Sequence, residues 1–170
     1  MTNIPTCALR LRAALDAAEP ALRAISSAAS AEPMAPGKWS PRQIIGHLID
    51  SATNNHQRYV RATLQDDLVF PGYEQEAWVA LQRYQEANWH ELLAFWLAYN
   101  RHIVTVMSAV PAEERLRVRA RHNLDEIATQ APATPEQATL DHLMNDYVVH
   151  LELHLRQILG ATWSAETRRA

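Results

Sequence analysis

The sequence is poor in cysteine, glycine and long apolar runs. Cys7 is the one cysteine among 170 residues, so no disulfide can form within the chain, which fits a reducing compartment. Only four glycines occur, and strand-like runs of valine, isoleucine, threonine and aromatic residues are nearly absent. No stretch of about 18 apolar residues is present, and the N-terminus lacks the pattern of a signal peptide. We therefore expect a helical, cytoplasmic protein without a membrane partner.

Positive charge is also limited. The formal net charge is −3, which excludes the global basic field that holds nucleic acid. Arg115, Arg117, Arg119 and Arg121 alternate along the chain and would share one side of an extended segment. Such a run could receive an anionic group at the mouth of a site, but it is more often a solvated loop. We expect a small-molecule substrate and no nucleic-acid partner.

The chain length and the apolar periodicity predict one all-α domain over residues 1–170. The first helix runs from Thr6 to about Ala29, and Pro20 should kink or split it. The second begins with the strongest start signal in the chain, in which Ser40 is the cap, Pro41 the first helical residue and Gln43 the end of a capping box. It continues to about Leu64.

Two further long helices and one short helix complete the prediction. The third long helix starts at Asn88 and ends before Pro111, and the last runs from Thr139 to Gly160, a typical residue just past a helix end. Within the long connection that precedes the third helix, residues 74–84 predict a short helix with Trp78 and Leu81 facing inward.

The last helix carries His150 and His154, which are four residues apart. Residues at that spacing are neighbours on a helix, so both imidazoles could bind one metal ion at about 2.0–2.1 Å. Leu151 stands where zinc proteases have a catalytic glutamate. A Glu-x-x-His pattern is absent from the sequence, which excludes a ferritin-like di-iron site.

A third ligand could come from the second helix. His47 lies on a polar border beside that helix's packing stripe, and packed helix axes lie about 8–10 Å apart, which is close enough for it to reach the pair. Three protein ligands leave an open position, as in catalytic sites, and imidazole suits zinc, nickel, copper and iron. Alternatively, each histidine is simply a hydrogen-bonded residue at a helix border.

Asp50 and Asp146 are the candidate catalytic carboxylates. Either could accept the second ring N–H of a ligating histidine, act as a ligand itself, or serve as a general base. The alternative is an ordinary salt bridge, of Asp50 with Arg58 or of Asp146 with Arg101.

Several motifs together resemble the DinB/YfiT-like superfamily over residues 38–159. They are Lys38-Trp39-Ser40-Pro41, the stretch from His47 to Ser51 with Asn55 and Arg58, Phe70-Pro71-Gly72-Tyr73 with Trp78, and the stretch from Asp146 to Ile158. The resemblance implies a four-helix bundle of up-down-down-up topology, often a homodimer. It also implies a divalent metal ion, usually zinc or nickel, on His47, His150 and His154. Characterised relatives include thiol S-transferases and a thiol-dependent isomerase, and many others carry the label of metal-dependent hydrolase.

These observations predict a metal-dependent enzyme. Its three-histidine site would activate a water or a low-molecular-weight thiol for attack on a small electrophile, as a hydrolase or a thiol S-transferase. The alternative is a non-catalytic, metal- or ligand-binding helical-bundle dimer.

Overall fold

The computed structural model describes residues 4–165, and this part of the chain is almost entirely helical. Its α-helices are α1 (Thr6–Arg23), α2 (Ser27–Ala31), α3 (Pro41–Ala62), α4 (Gln75–Leu81), α5 (Trp89–Ala109), α6 (Ala112–Leu116), α7 (Leu124–Ile127) and α8 (Leu140–Leu159). An isolated bridge between Leu68 and His122 is the only β-type pairing among these residues.

Helices α3 and α8 begin and end at positions that the local sequence specifies. At the start of α3, the Ser40 hydroxyl accepts the backbone N–H of Gln43, and the Gln43 side chain accepts the N–H of Ser40. At the start of α8, Thr139 accepts the N–H of His142. Gly160 ends α8 with φ of 100°, a conformation that favours glycine. The predicted boundaries of both helices are therefore correct to within about two residues.

The four long helices α1, α3, α5 and α8 form a four-helix bundle. Helices α5 and α8 each pack against both α1 and α3. Aromatic side chains fill the centre, and Trp89, Trp96, Tyr59 and Tyr147 are each at most 1% exposed. His47 meets His150 and Tyr59 meets Tyr147, so α3 and α8 run in opposite directions. No helix within residues 4–165 combines the length and apolar content that a membrane span requires.

Two local predictions were wrong. Helix α1 passes through Pro20 but ends at Arg23, before the predicted Ala29, because Ser26 accepts the N–H of Ala29 and caps the separate helix α2. In α4, Trp78 is 37% exposed and Leu81 82% exposed, whereas Val79 is buried. A helix of seven residues presents only one narrow face to the bundle, and here that face is centred on Val79.

The arginine run does not form one side of an extended segment, because Arg115 belongs to α6. Each arginine instead has a carboxylate partner: Asp141 for Arg115, Asp66 and Glu114 for Arg117, Glu114 for Arg119, and Asp67 for Arg121. Arg119 is 2% exposed and also donates to the backbone oxygens of Ala62 and Gln65. It therefore fastens the connection between α5 and α8 to the C-terminal end of α3, where a cation is favourable.

Candidate metal centre

Three histidines converge where α3 crosses α8. His47 projects from α3, and His150 and His154 project from successive turns of α8. The Nε2 atom of His150 lies 3.2 Å from Nε2 of His47 and 3.2 Å from Nε2 of His154. One ligand atom from each of the three residues lies within 4.8 Å of the other two. The structure thus brings together the three residues that the sequence predicts as metal ligands.

This arrangement fits a divalent cation better than a hydrogen-bonded cluster. Two ligands at about 2.0–2.1 Å and a tetrahedral angle are separated by about 3.3–3.4 Å, close to the spacing found here. Hydrogen bonding explains the contacts less well, because a neutral imidazole carries only one N–H. Nε2 of His150 has either one proton to donate or one ring lone pair to accept with, so it can make one well-directed hydrogen bond but not one to each neighbour.

The surroundings keep the three imidazoles neutral. Burial lowers the pKa of His47 to about 3, with further contributions from His154 and His150. Burial, followed by the neighbouring His154, lowers the pKa of His150 to about 4. The pKa of His154 is also lowered by burial, although its contact with Gln157 opposes the shift. Neutral imidazole is the form that binds metal ions, so protons should compete for the site only in acid.

The Nδ1 atoms, which are the ring nitrogens facing away from the centre of the triad, differ in their hydrogen-bond partners. Nδ1 of His154 lies 3.0 Å from Oε1 of Gln157, and Nδ1 of His150 lies 3.5 Å from the hydroxyl of Ser51. Nδ1 of His47 is buried and has no hydrogen-bond partner among the described residues. No recorded hydrogen bond joins Asp50 or Asp146 to a triad imidazole in residues 4–165.

Asp50 is held by residues that the sequence analysis missed. Its Oδ1 accepts from the Gln82 side chain at 2.6 Å and from the Tyr84 hydroxyl at 2.7 Å. Its Oδ2 is buried and has no hydrogen-bond partner within residues 4–165. Burial raises the pKa of Asp50, and the two donors oppose that shift. The sequence carries no signal for this cluster, because Gln82 and Tyr84 are 32 and 34 positions away from Asp50, at the end of α4 and in the turn that follows it.

Asp146 anchors the connection that precedes α8. Its Oδ2 accepts the backbone N–H of Thr129 at 2.9 Å, and its Oδ1 accepts that of Gln130 at 2.8 Å. Neither of the alternative salt bridges, Asp50 with Arg58 and Asp146 with Arg101, forms among residues 4–165. Arg101 pairs with Glu19, and Arg58 donates to Asn55 and to the backbone of Pro71.

Two depressions give access to the histidines. A cavity of about 420 Å³ is lined by His150 and His154 together with residues that include Ser51, Tyr73 and Asp146. A second depression of about 790 Å³ reaches His154 from the side of Trp39. The Trp39 ring lies 5.1 Å from the His47 ring and covers it. The four arginines of residues 115–121 line neither space, so the structure does not support the possibility that they receive an anionic group at the mouth of the site.

Comparison with known proteins identifies the family of the chain. No curated protein matches the chain in sequence. Among solved structures, the chain is similar to YfiT from Bacillus subtilis, which is described as a probable metal-dependent hydrolase with an unusual four-helix bundle topology. The TM-score is 0.73 at 20% identity, over 93% of this chain and 87% of the other. The family model of the DinB superfamily matches residues 10–158, so the chain belongs to the DinB superfamily.

Proposed function

We propose that His47, His150 and His154 bind one divalent metal ion, zinc or nickel, and that the protein is a metal-dependent enzyme acting on a small molecule. The observation that carries the proposal is the convergence of three neutral imidazoles beside a cavity of about 420 Å³, with Nε2 of His150 lying 3.2 Å from Nε2 of each of the other two. The similarity to YfiT supports it, since that protein is described as a probable metal-dependent hydrolase.

Three protein ligands leave an open coordination position beside the cavity. An ion bound there would lower the pKa of a water or a low-molecular-weight thiol and so supply a nucleophile near neutral pH. The protein supplies orientation and exclusion of water. Trp39 shields His47, and Ser51 and Gln157 orient His150 and His154 through their outer nitrogens.

The two aspartates have positioning roles in this proposal. Within residues 4–165, Oδ2 of Asp50 and Nδ1 of His47 are both buried without a hydrogen-bond partner, and they project from adjacent turns of α3. A bridging water would satisfy both atoms and fix the tautomer of His47. Asp146 instead holds the backbone of Thr129 and Gln130, two residues beside the cavity.

The primary test is elemental analysis of protein purified without an affinity tag. We expect about one zinc or nickel ion per chain in the wild type and a loss of metal in His150→Ala. His90→Ala is the matched control, since His90 is exposed and lies outside the triad. A wild type that takes up neither metal after reconstitution, or a His150→Ala variant that keeps it, would refute the site.

A second experiment separates the reaction classes. Metal-loaded protein is tested on panels of esters and of alkylating electrophiles, each with and without low-molecular-weight thiols. Turnover that requires a thiol supports an S-transferase, and turnover without one supports a hydrolase. Bound metal with no turnover on either panel supports the second candidate, a non-catalytic metal- or ligand-binding homodimer, whose subunit number sedimentation would give.

A further inference from the structure

A buried guanidinium group lies at the far end of the triad's cavity. Arg58 is 5% exposed and lines this cavity together with Ser51, Asn55 and Tyr73, as well as His150 and His154. On α3, a chain of contacts joins it to the metal centre. Ser51 Oγ lies 3.5 Å from His150, Asn55 Nδ2 lies 3.4 Å from that Oγ, and Arg58 Nη1 lies 3.5 Å from Asn55 Oδ1.

The positive charge of Arg58 lacks a carboxylate partner within the described residues. Its recorded hydrogen bonds are to Asn55 at 3.5 Å and to the backbone oxygen of Pro71 at 3.0 Å. A guanidinium carries five N–H donors, so most of them remain available. Burial lowers the pKa of Arg58, and Tyr59, Tyr73 and Asp146 oppose the shift, the last from beyond ion-pair distance. The two Asp146 oxygens are already used by the amides of residues 129 and 130.

Arg119, a second buried arginine among residues 4–165, shows what a structural role requires. Arg119 donates to the Glu114 carboxylate at 3.1 Å and to the backbone oxygens of Ala62 and Gln65. Arg58 has no carboxylate partner of this kind among residues 4–165, and it borders the cavity instead. An uncompensated buried charge is unfavourable unless a ligand of opposite charge completes it.

We infer that Arg58 binds an anionic group of the substrate, most simply a carboxylate, while the reacting centre of that substrate lies at the histidines. The inference rests on the proposed function. Arg58 follows Ser51, the residue beside His150, by seven positions, which is about 10 Å along the helix. The substrate is therefore a small acid whose charged end is several bonds from its reacting end. The planar fork of arginine binds carboxylates through two parallel hydrogen bonds.

The test compares two thiol probes on cobalt(II)-loaded protein. One is 6-mercaptohexanoate, whose thiol can bind cobalt while its carboxylate reaches along the cavity, and the other is its neutral methyl ester. The sulfur-to-cobalt absorption band reports binding of each probe. We expect the wild type to prefer the acid at least about tenfold, the effect of one charge-assisted hydrogen-bond pair.

Substitutions assign that preference to a residue. Arg58→Gln should abolish the preference and leave affinity for the ester unchanged. Arg61→Gln is the matched control, because Arg61 is an exposed neighbour that borders a different cavity with Arg58, and it should keep the full preference. Equal affinity for acid and ester in the wild type would overturn the inference, as would a preference that survives in Arg58→Gln or disappears in Arg61→Gln.

Two additional measurements keep the inference testable if Arg58→Gln does not fold or if the wild type does not bind cobalt. Should Arg58→Gln not fold, Arg58→Lys decides, because an ammonium cannot form the fork and should lower the preference severalfold. An unchanged preference in Arg58→Lys would overturn the inference. Should the wild type bind no cobalt, the proposed function fails, and calorimetric titration of metal-free protein with glutarate tests Arg58 alone. Binding that is lost with Arg58 supports the inference, and no binding by the wild type overturns it.

Discussion

Replacing Gly46 by alanine has two opposing effects beside the three histidines, a gain in helix propensity and a steric clash. Gly46 lies inside α3, where alanine is normally more stable than glycine by about 0.5–1 kcal/mol. An added Cβ would, however, lie 2.1 Å from both Cγ and Cδ2 of Tyr84, whereas ordinary contacts begin near 3.4 Å. The buried Tyr84 ring would have to move by more than 1 Å, and the hydrogen bond from its hydroxyl to Asp50 would break.

The estimated cost of the steric clash exceeds the gain in helix propensity. Overpacking a buried site costs about 1–3 kcal/mol, and loss of a hydrogen bond to a charged group costs about 1.5–3 kcal/mol more. After subtracting the gain in helix propensity, Gly46→Ala should lower the free energy of unfolding by about 2–5 kcal/mol. Urea unfolding followed by circular dichroism measures this as a lower midpoint with an unchanged slope.

Two controls make the reasoning refutable. An added Cβ at Gly72 has no heavy atom within 4 Å, so Gly72→Ala should change stability by less than about 0.5 kcal/mol. In a Tyr84→Gly background the three atoms nearest to the added Cβ, which include the Tyr84 Cβ at 2.8 Å, are all gone, so Gly46→Ala should become stabilising by about 0.5–1 kcal/mol. A single Gly46→Ala variant as stable as the wild type, or a substitution that stays destabilising without the Tyr84 ring, would show that the contact does not control this position.

Three further outcomes follow from buried polar groups. Because burial raises the pKa of Asp50, the native protein binds that proton more tightly, and the stability it provides is lost as pH rises through the native pKa. The stability of Asp50→Asn relative to wild type should therefore increase between about pH 4 and pH 8 in urea titrations, and a constant difference would contradict the raised pKa. Tyr147→Phe should cost about 1–3 kcal/mol by leaving the buried Asn100 oxygen without its donor, and an unchanged melting temperature would argue against the bond. Arg119→Met should speed hydrogen exchange in the segment of residues 117–138 before it affects the bundle, and uniform acceleration throughout the protein would exclude a local role.

The parts of the molecule that local sequence determines could be predicted. Caps such as Ser40 and Thr139 fix the start of α3 and α8 through bonds to residues three positions away. His150 and His154 share a face because of helix geometry alone, and the polar border of α3 indicates that His47 faces them. The meeting of the three histidines follows from those patterns together with the packing distance of helices. The arrangement of the long helices as a four-helix bundle was implied by the family resemblance.

The parts of the molecule that depend on contacts between residues distant in sequence could not be predicted. Asp50 receives its hydrogen bonds from Gln82 and Tyr84 across a connection without regular periodicity. The regular alternation of arginines suggested an extended face, but Arg119 turns inward because the carbonyl groups at the end of α3 need a donor. Seven residues of α4 are too few for the apolar pattern to show which side is buried, and Trp78 was placed inward as a result.

Helix α8 both anchors the preceding connection and carries two of the three histidines, and this limits how far this region of the chain can vary in length. Asp146 holds the backbone of residues 129 and 130, and one turn later the same helix carries His150. One inserted or deleted residue between the two would rotate everything beyond it by about 100° and either release that backbone or turn both histidines away from His47. A single substitution in this stretch can be compensated by a change in a neighbouring side chain. A change in the number of residues between Asp146 and His150 would instead require new positions both for the backbone of residues 129 and 130 and for the histidines. The spacing is thus a more restrictive requirement on sequence drift than the identity of any one intervening side chain.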